Sequence, residues 1–375
     1  MPGCVQLNFQ THLGGGEIYT AFVCRALSML GIKTRLLVHP QAKFWGQLSL
    51  PADIEIVRTS AGASLRKYLP EQPIWLLAHG PLPIELRAVV PQHLRTAIAH
   101  MPIQGRNAMS FDGHDMVFPV SGWVRDGLIA AGIPSWHQPL YGVADLSRAS
   151  ESNTITRNSR YDWDRRKLRD RLLSWIEPSI ESLRPHPAFV RRPGLALGIV
   201  SRITPIKQFP LLFSQLAPVL AKSTHINLEF FGSGGYASIR DIDRALQPIV
   251  SKVRFWGHQS NVTAAYRCLD YLMTGLPEKE ALGLNIIEAQ NCGLPVLAPK
   301  APPFMETIVD GKTGFLYDDP RKDNGRSFGL LLEKLQALPK PLNPQDAPDC
   351  LTRFSFDAFI ERLRPVIRWV SATLP

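Results

Sequence analysis

The stretch VQLNFQTHLGGGEIYTAFVCRALSMLG, residues 5–31, decides the fold. An apolar run at residues 5–9 meets the glycine cluster Gly14, Gly15 and Gly16. Ile18, Phe22, Leu27 and Leu30 then fall on or near one face at helical spacing, and Gly31 closes the pattern. The order is strand, glycine loop, helix. Further short apolar runs follow at residues 35–38, 74–78, 96–99 and 116–120. Strands that alternate with helices predict a mostly parallel sheet covered on both faces.

The second half repeats the theme, with apolar runs at residues 195–200, 226–231, 252–256, 271–274 and 295–298. Helical patterns lie between them at 210–221, 238–246 and 284–291. The expectation is an α/β chain of two Rossmann-like domains, residues 1–147 and 194–353, with parallel sheets facing across a cleft. A terminal helix, residues 354–375, is expected to cross back to the first domain, with an interruption at Pro365. Residues 148–193 are expected to form a basic helical linker or insertion, helical over 161–183 and broken or kinked at Pro178.

The 375 residues suffice for two cores. Apolar residues make up 45% and charged residues 20%, the balance of a globular chain. No apolar run is long enough to span a membrane, and the first residues lack the layout of a secretion signal. Cys4, Cys24, Cys268, Cys292 and Cys350 form no close pairs, which argues against a zinc site or a disulfide framework and for a cytoplasmic setting. Of the net charge of +10, residues 148–193 alone supply +5, from 11 basic and 6 acidic side chains. Arg165, Arg166, Lys167, Arg169 and Arg171 lie among Leu168, Leu172, Trp175 and Ile176, a pattern that suits either a solvated helix packed on one domain or docking on an anionic membrane.

Chemistry concentrates between Glu280 and Glu288. A helix that begins near Gly283 presents backbone N–H groups of Gly283, Leu284 and Asn285 to an anion such as a phosphate. Carboxylates eight residues apart lie on the order of 10 Å apart, the span of a hexose, a diphosphate and a ribose. Taken alone, both glutamates are equally well read as exposed surface residues. Upstream, Arg202 and Lys207 follow the apolar run at 195–200, where fixed cations would meet the charge of a departing diphosphate. His100 follows another run and, taken alone, is equally a structural histidine. Contiguous glycines in place of G-x-G-x-x-G count against an NAD enzyme.

In this order the motifs resemble the retaining GT-B nucleotide-sugar transferases of glycosyltransferase family 4, the group 1 glycosyltransferases, over nearly the whole chain. Gly14 to Glu17 resemble the N-terminal glycine loop, Ala99 and His100 the N-domain histidine, and Ser121 to Asp145, with AGI at 131–133 and GVAD at 142–145, the closing segment of the first domain. Arg202 and Lys207 match the donor-phosphate pair, the FGSG run at 231–234 the glycine turn, Glu280 to Glu288 the E-x7-E signature, and VDGKTGF at 309–315 the run after it. Pro302 and Pro303 stand where the family often has a glycine pair. The resemblance implies a UDP- or GDP-type sugar donor held chiefly by the second domain. Glu280 would contact the sugar, Glu288 the ribose, and Arg202 and Lys207 the phosphates, while His100, Gly15 and Gly16 close from the first domain. It implies hexosyl transfer with retention to a glycan or lipid-linked acceptor, no metal, and a place in bacterial surface polysaccharide or lipopolysaccharide assembly, in the cytoplasm or peripheral on the inner face of the plasma membrane. Two rivals are an epimerase or hydrolase of the same fold and a basic nucleic-acid-binding protein; against the latter, the excess charge is local and no zinc, RRM-like or helix-turn-helix pattern accompanies it.

Overall fold

The computed structural model describes residues 3–103, 108–144, 154–163, 167–182 and 188–374. It divides into two compact units, Met1–Ala144 with Thr352–Pro375, and Asp145–Leu351. Asp145, Arg165, Arg166 and Leu183, named above, lie outside the described residues.

The first unit runs β1 (Cys4–Asn8), α1 (Gly15–Met29), β2 (Thr34–Val38), β3 (Glu55–Arg58), β4 (Trp75–Ala78), α2 (Ile84–Val89), β5 (Leu94–Ala99), β6 (Met116–Pro119) and α3 (Gly122–Ala130). Its six strands are parallel in the order β3-β2-β1-β4-β5-β6. The glycines expected to form a loop do so only in part. Gly14 is the extended N-cap of α1, and Gly15 and Gly16 are its first two residues.

The second unit runs α4 (Leu168–Ser182), β7 (Leu195–Val200), α5 (Phe209–Lys222), β8 (Ile226–Phe231), α6 (Tyr236–Ala245), β9 (Val253–Gly257), α7 (Val262–Arg267), β10 (Tyr271–Met273), α8 (Leu284–Asn291), β11 (Val296–Pro299), α9 (Phe304–Thr307), β12 (Gly314–Tyr317), α10 (Pro320–Asp323) and α11 (Arg326–Ala337). Its strands are parallel in the order β12-β11-β10-β7-β8-β9. Side chains along β7 alternate between two cores, as period-two geometry requires. Leu197 and Ile199 join Phe213, Phe230 and Ile242 on one face, while Ala196 and Val200 join Leu272, Ile286 and Val296 on the other. Gly198 sits where a Cβ would meet Leu269 Cδ1 at 2.2 Å, so any larger residue there would have to displace the Leu269 side chain.

After α12 (Pro348–Thr352), helix α13 (Phe356–Thr373) belongs to the first unit. Phe359 meets Tyr19 of α1 edge-on, with ring centroids 5.7 Å apart. The interruption expected at Pro365 is absent, and α13 is continuous. Proline removes one helical hydrogen bond, but Phe359, Leu363, Val366 and Val370 are buried along one side and keep the helix continuous through it.

The basic segment is not a body of its own, because residues 154–163 are built into the second unit. The helix expected from residue 161 begins instead at Leu168 and passes position 178 without a break. Tyr161 forms a bridge to Gly234. Around it, Asn158 N donates to the Trp256 carbonyl at 2.9 Å, Asp162 N to the Gly234 carbonyl at 2.8 Å, and Ser233 Oγ to Asp162 Oδ1 at 2.6 Å. These backbone bonds claim residues 158–162 for a strand-like strap before any helix starts.

Candidate functional site

In an open parallel sheet, ligands bind beyond the carboxyl ends of the strands where the strand order reverses. That point lies between β7 and β10 in the second unit, and between β1 and β4 in the first.

At the β7/β10 end, Lys207 closes the short turn Pro205–Lys207 that leads into α5. Its Nζ pairs with Glu280 Oε2, 73 residues away in sequence. Backbone contact makes the pair possible. Leu276 N donates to the Lys207 carbonyl at 3.3 Å, and a Cβ on Gly275 would lie 2.1 Å from the same oxygen. Only glycine lets the loop after β10 lie against the turn after β7.

Helix α8 starts beside this pair. Gly283, its N-cap, has φ +84°, and a Cβ there would meet Ile286 Cδ1 at 2.6 Å. The first N–H groups of α8, at Leu284 and Asn285, have no carbonyl behind them within the helix, so the start of α8 carries partial positive charge. Asn285 Nδ2 donates to the Val200 carbonyl at 3.2 Å and pins α8 to the end of β7. Ser201, Lys207, Thr274, Gly275, Glu280 and Asn285 line one crevice, closed from beneath by Phe209 and Phe304. A cation, a carboxylate and helix N–H groups facing one space suit a phosphorylated polyol: the N–H groups and ammonium meet oxyanions, and the carboxylate accepts from hydroxyls.

The predicted residues therefore divide. Lys207, Glu280 and Asn285 meet in the crevice, with Gly283 and Leu284 at its helical rim. Glu288 lies further along α8, half-buried, 3.0 Å from the Tyr266 hydroxyl. Burial, and then Glu288, raise the Tyr266 phenol well above its usual range, so it stays a donor. Arg202 is exposed beside Ser201 and outside the crevice lining.

Residues 254–257, at the end of β9, are engaged by the fold itself. Arg254 makes bonds of 2.6–3.0 Å to Glu229, which is 1% exposed, and lies over Phe189 and Trp256. The strap covers Gly257, where a Cβ would lie 2.4 Å from the Ser159 carbonyl.

At the β1/β4 end, the His100 ring, just past β5, stacks on His79, just past β4, with centroids 5.4 Å apart and 15° between planes. Tyr19 meets His100 edge-on at 4.9 Å. A Cβ on Gly16 would lie 3.9 Å from the His100 ring, which puts the start of α1 against it. Burial pushes the His100 imidazole down to about 4. Burial, and then His100, hold His79 well below the usual imidazole range. His79 was not singled out from sequence. The available signal was the repeated Ala-His step, Ala78-His79 and Ala99-His100, at the ends of neighbouring strands.

Two parallel six-stranded sheets of this connectivity define the GT-B fold. It is shared with the HepE protein of Anabaena in complex with UDP and glucose (TM-score 0.67, 15% identity, covering 98% of this chain and 100% of that one). A sucrose-phosphate synthase from Thermosynechococcus elongatus shares it too (TM-score 0.68, 14% identity, covering 99% and 100%). Residues 194–325 match the family described as Glycosyl transferases group 1, so the resemblance read from the motifs holds for the second unit. Among curated relatives, the D-inositol 3-phosphate glycosyltransferase of Segniliparus rotundus is 29% identical over 152 residues, 38% of this chain and 34% of that protein. The N-acetyl-alpha-D-glucosaminyl L-malate synthase of Bacillus anthracis is 40% identical over 68 residues, 18% of each. The chain thus spans about a third or less of the length of the curated relatives it matches.

Proposed function

We propose that the chain is a retaining glycosyltransferase that moves a hexose from a UDP- or GDP-type donor to a glycan or lipid-linked acceptor. The observation that carries this is the meeting of Lys207 and Glu280 at the start of α8, within the segment that matches group 1 glycosyltransferases. Lys207, Arg202 and the α8 N-terminus take the diphosphate charge, and Glu280 takes the sugar hydroxyls. Glu288 takes the ribose. In the first unit, Gly15 and Gly16 serve the donor phosphates and His100 the donor sugar. The bond from the anomeric carbon to the diphosphate breaks and the acceptor oxygen bonds to the same face. The acceptor's hydroxyl proton passes to the departing diphosphate. Fixed cations and helix N–H groups stabilise that charge, so this reading calls for no metal. A role in bacterial surface polysaccharide or lipopolysaccharide assembly, at the cytoplasmic face, fits such an acceptor.

The test is turnover of nucleotide sugars by Glu280→Gln and Lys207→Ala, each checked for folding. Removing a preorganised group of this kind costs roughly 10²–10³-fold. Full activity in both variants would defeat the assignment. Nucleotide diphosphates that raise the melting temperature identify the base, since a ligand that prefers the native state stabilises it. Donor consumed with no acceptor present would favour the epimerase or hydrolase instead.

The proposal includes contact with an anionic membrane through α4. Among the described residues, no helix is long and apolar enough to cross a membrane. Leu168, Leu172, Trp175 and Ile176 share one face of α4 and are 65%, 54%, 80% and 43% exposed. Lys167, Arg169 and Arg171 are exposed around them. An apolar stripe ringed by cations matches the acyl boundary and headgroups of an anionic leaflet. Vesicles with phosphatidylglycerol should bind the full chain at low salt and release Leu172→Ser/Trp175→Ser. Equal binding by that variant, or a dimer in place of vesicle binding, would overturn the contact.

A further inference from the structure

We infer that Gln6 and His79 fix His100 as the Nε2–H tautomer and leave its Nδ1 as a bare hydrogen-bond acceptor. Its use toward a donor-sugar hydroxyl rests on the transferase reading, whereas the tautomer does not.

The relay starts in β1. Gln6 is fully buried, and its Nε2 donates to Cys24 Sγ at 3.3 Å. Burial pushes the Cys24 thiol up to about 12, so the sulfur stays an uncharged acceptor. In this amide orientation Gln6 Oε1, which can only accept, faces His79 Nε2 at 2.8 Å. His79 Nε2 must therefore carry the proton. A neutral imidazole has one protonated nitrogen, so His79 Nδ1 is bare. His100 Nε2 lies 3.2 Å from it. Two bare nitrogens at that distance would oppose their lone pairs, so His100 Nε2 carries its proton and donates.

Because burial keeps His100 neutral, its Nδ1 is then bare, and it has no hydrogen bond among the described residues. A hydroxyl presented to this ring donates to Nδ1, and the ring adds no charge at neutral pH. His79 touches no substrate in this scheme and is a positioning residue. It sets which nitrogen of its neighbour is an acceptor, a second-layer effect of the kind that orients functional imidazoles.

Long-range ¹H–¹⁵N imidazole spectra of the ¹⁵N-labelled full chain test this, because each tautomer has its own shift pattern. His79→Gln and His100→Gln variants assign the signals. At pH 7 both rings should be single Nε2–H tautomers. His100 found as Nδ1–H, as an imidazolium, or as a mixture overturns the inference. In Gln6→Leu, which removes the acceptor, His100 should become a mixture and donor kcat/KM should fall about tenfold, the value of one good hydrogen bond. Gln6→Glu keeps an acceptor and should keep the Nε2–H signature. If Gln6→Leu does not fold, the native spectrum together with Gln6→Glu still decides the matter. The expected tautomer in a chain that turns over no nucleotide sugar would sink the transferase reading and leave the relay standing.

Discussion

The two strand-order reversals of this chain share one geometry and differ in chemistry. Beyond β7 and β10 a lysine, a glutamate and a bare helix start meet in a small space. Beyond β1 and β4 the groups that meet are neutral imidazoles and an amide, with Glu17 held nearby 3.4 Å from Asn8 Nδ2. In each unit the backbone sets where a ligand can sit, and the side chains at the strand ends set its chemistry. A charged end suits a diphosphate, and a neutral, hydrogen-bonding end suits hydroxyls.

The largest effect should come from Gly275→Ala. Its methyl would lie 2.1 Å from the Lys207 carbonyl, a backbone atom that cannot swing aside. Overpacking of this kind costs about 1–3 kcal/mol, and the displaced Lys207 should also lose nucleotide affinity. Urea unfolding and nucleotide titration measure both. Wild-type values for the two would mean that the charged end does not depend on this backbone contact.

Next comes acid. Unfolded imidazoles charge at about pH 6.5, whereas burial keeps His100 and His114 neutral in the folded chain down to about 4 and holds His79 well below the usual imidazole range. Between these limits the unfolded chain binds more protons, so stability is full above about pH 6.5 and is lost as pH falls toward 4. Unfolding free energies at pH 7.5, 5.5 and 4.5 should decline in that order. His114, whose Nε2 accepts from Leu82 N at 3.1 Å, contributes to the slope, and His114→Gln should flatten it.

Smaller still is Arg202→Ala, which should cost at most about fivefold in donor affinity, the scale of an exposed charge. A hundredfold loss would mean that Arg202 moves into the crevice with ligand. Smallest is Gly16→Ala. Its methyl has 3.9 Å to the His100 ring and a helical position to occupy. Stability should be unchanged or rise by up to about 1 kcal/mol. A loss of activity without loss of stability would show that Gly16 serves close approach to a ligand.

The central strands were legible because burial on both faces writes them as continuous apolar runs. Both strands missed from sequence are sheet edges. Glu55–Arg58 of β3 is mostly exposed and bounded by charges, and Gly314–Tyr317 of β12 opens on a glycine read as part of a motif. Local rules misjudged Pro365, since proline's helical cost is visible in sequence and the packing of α13 that outweighs it is not; they misjudged Pro178 as well, and α4 is helical on both sides of it. The E-x7-E motif located α8 but not the pairing of Glu280 with Lys207, which depends on Gly275 touching a carbonyl 68 positions upstream. Nor does any spacing betray the strap. Tyr161 and Asp162, read as the start of a helix, are instead extended because Gly234 offers them a backbone partner.

Helix α13 has a consequence for how the chain comes to be folded. The face of α1 around Tyr19 is covered by Phe359, yet some two hundred residues of the second unit are synthesised between the rest of the first unit and this helix. At about 5–20 residues per second the wait is on the order of 10 s or more. During it the second unit can close on itself, while the first holds an unfilled seam along α1. The ribosome thus delivers the two halves out of the order in which they begin, and the domain started first is finished last.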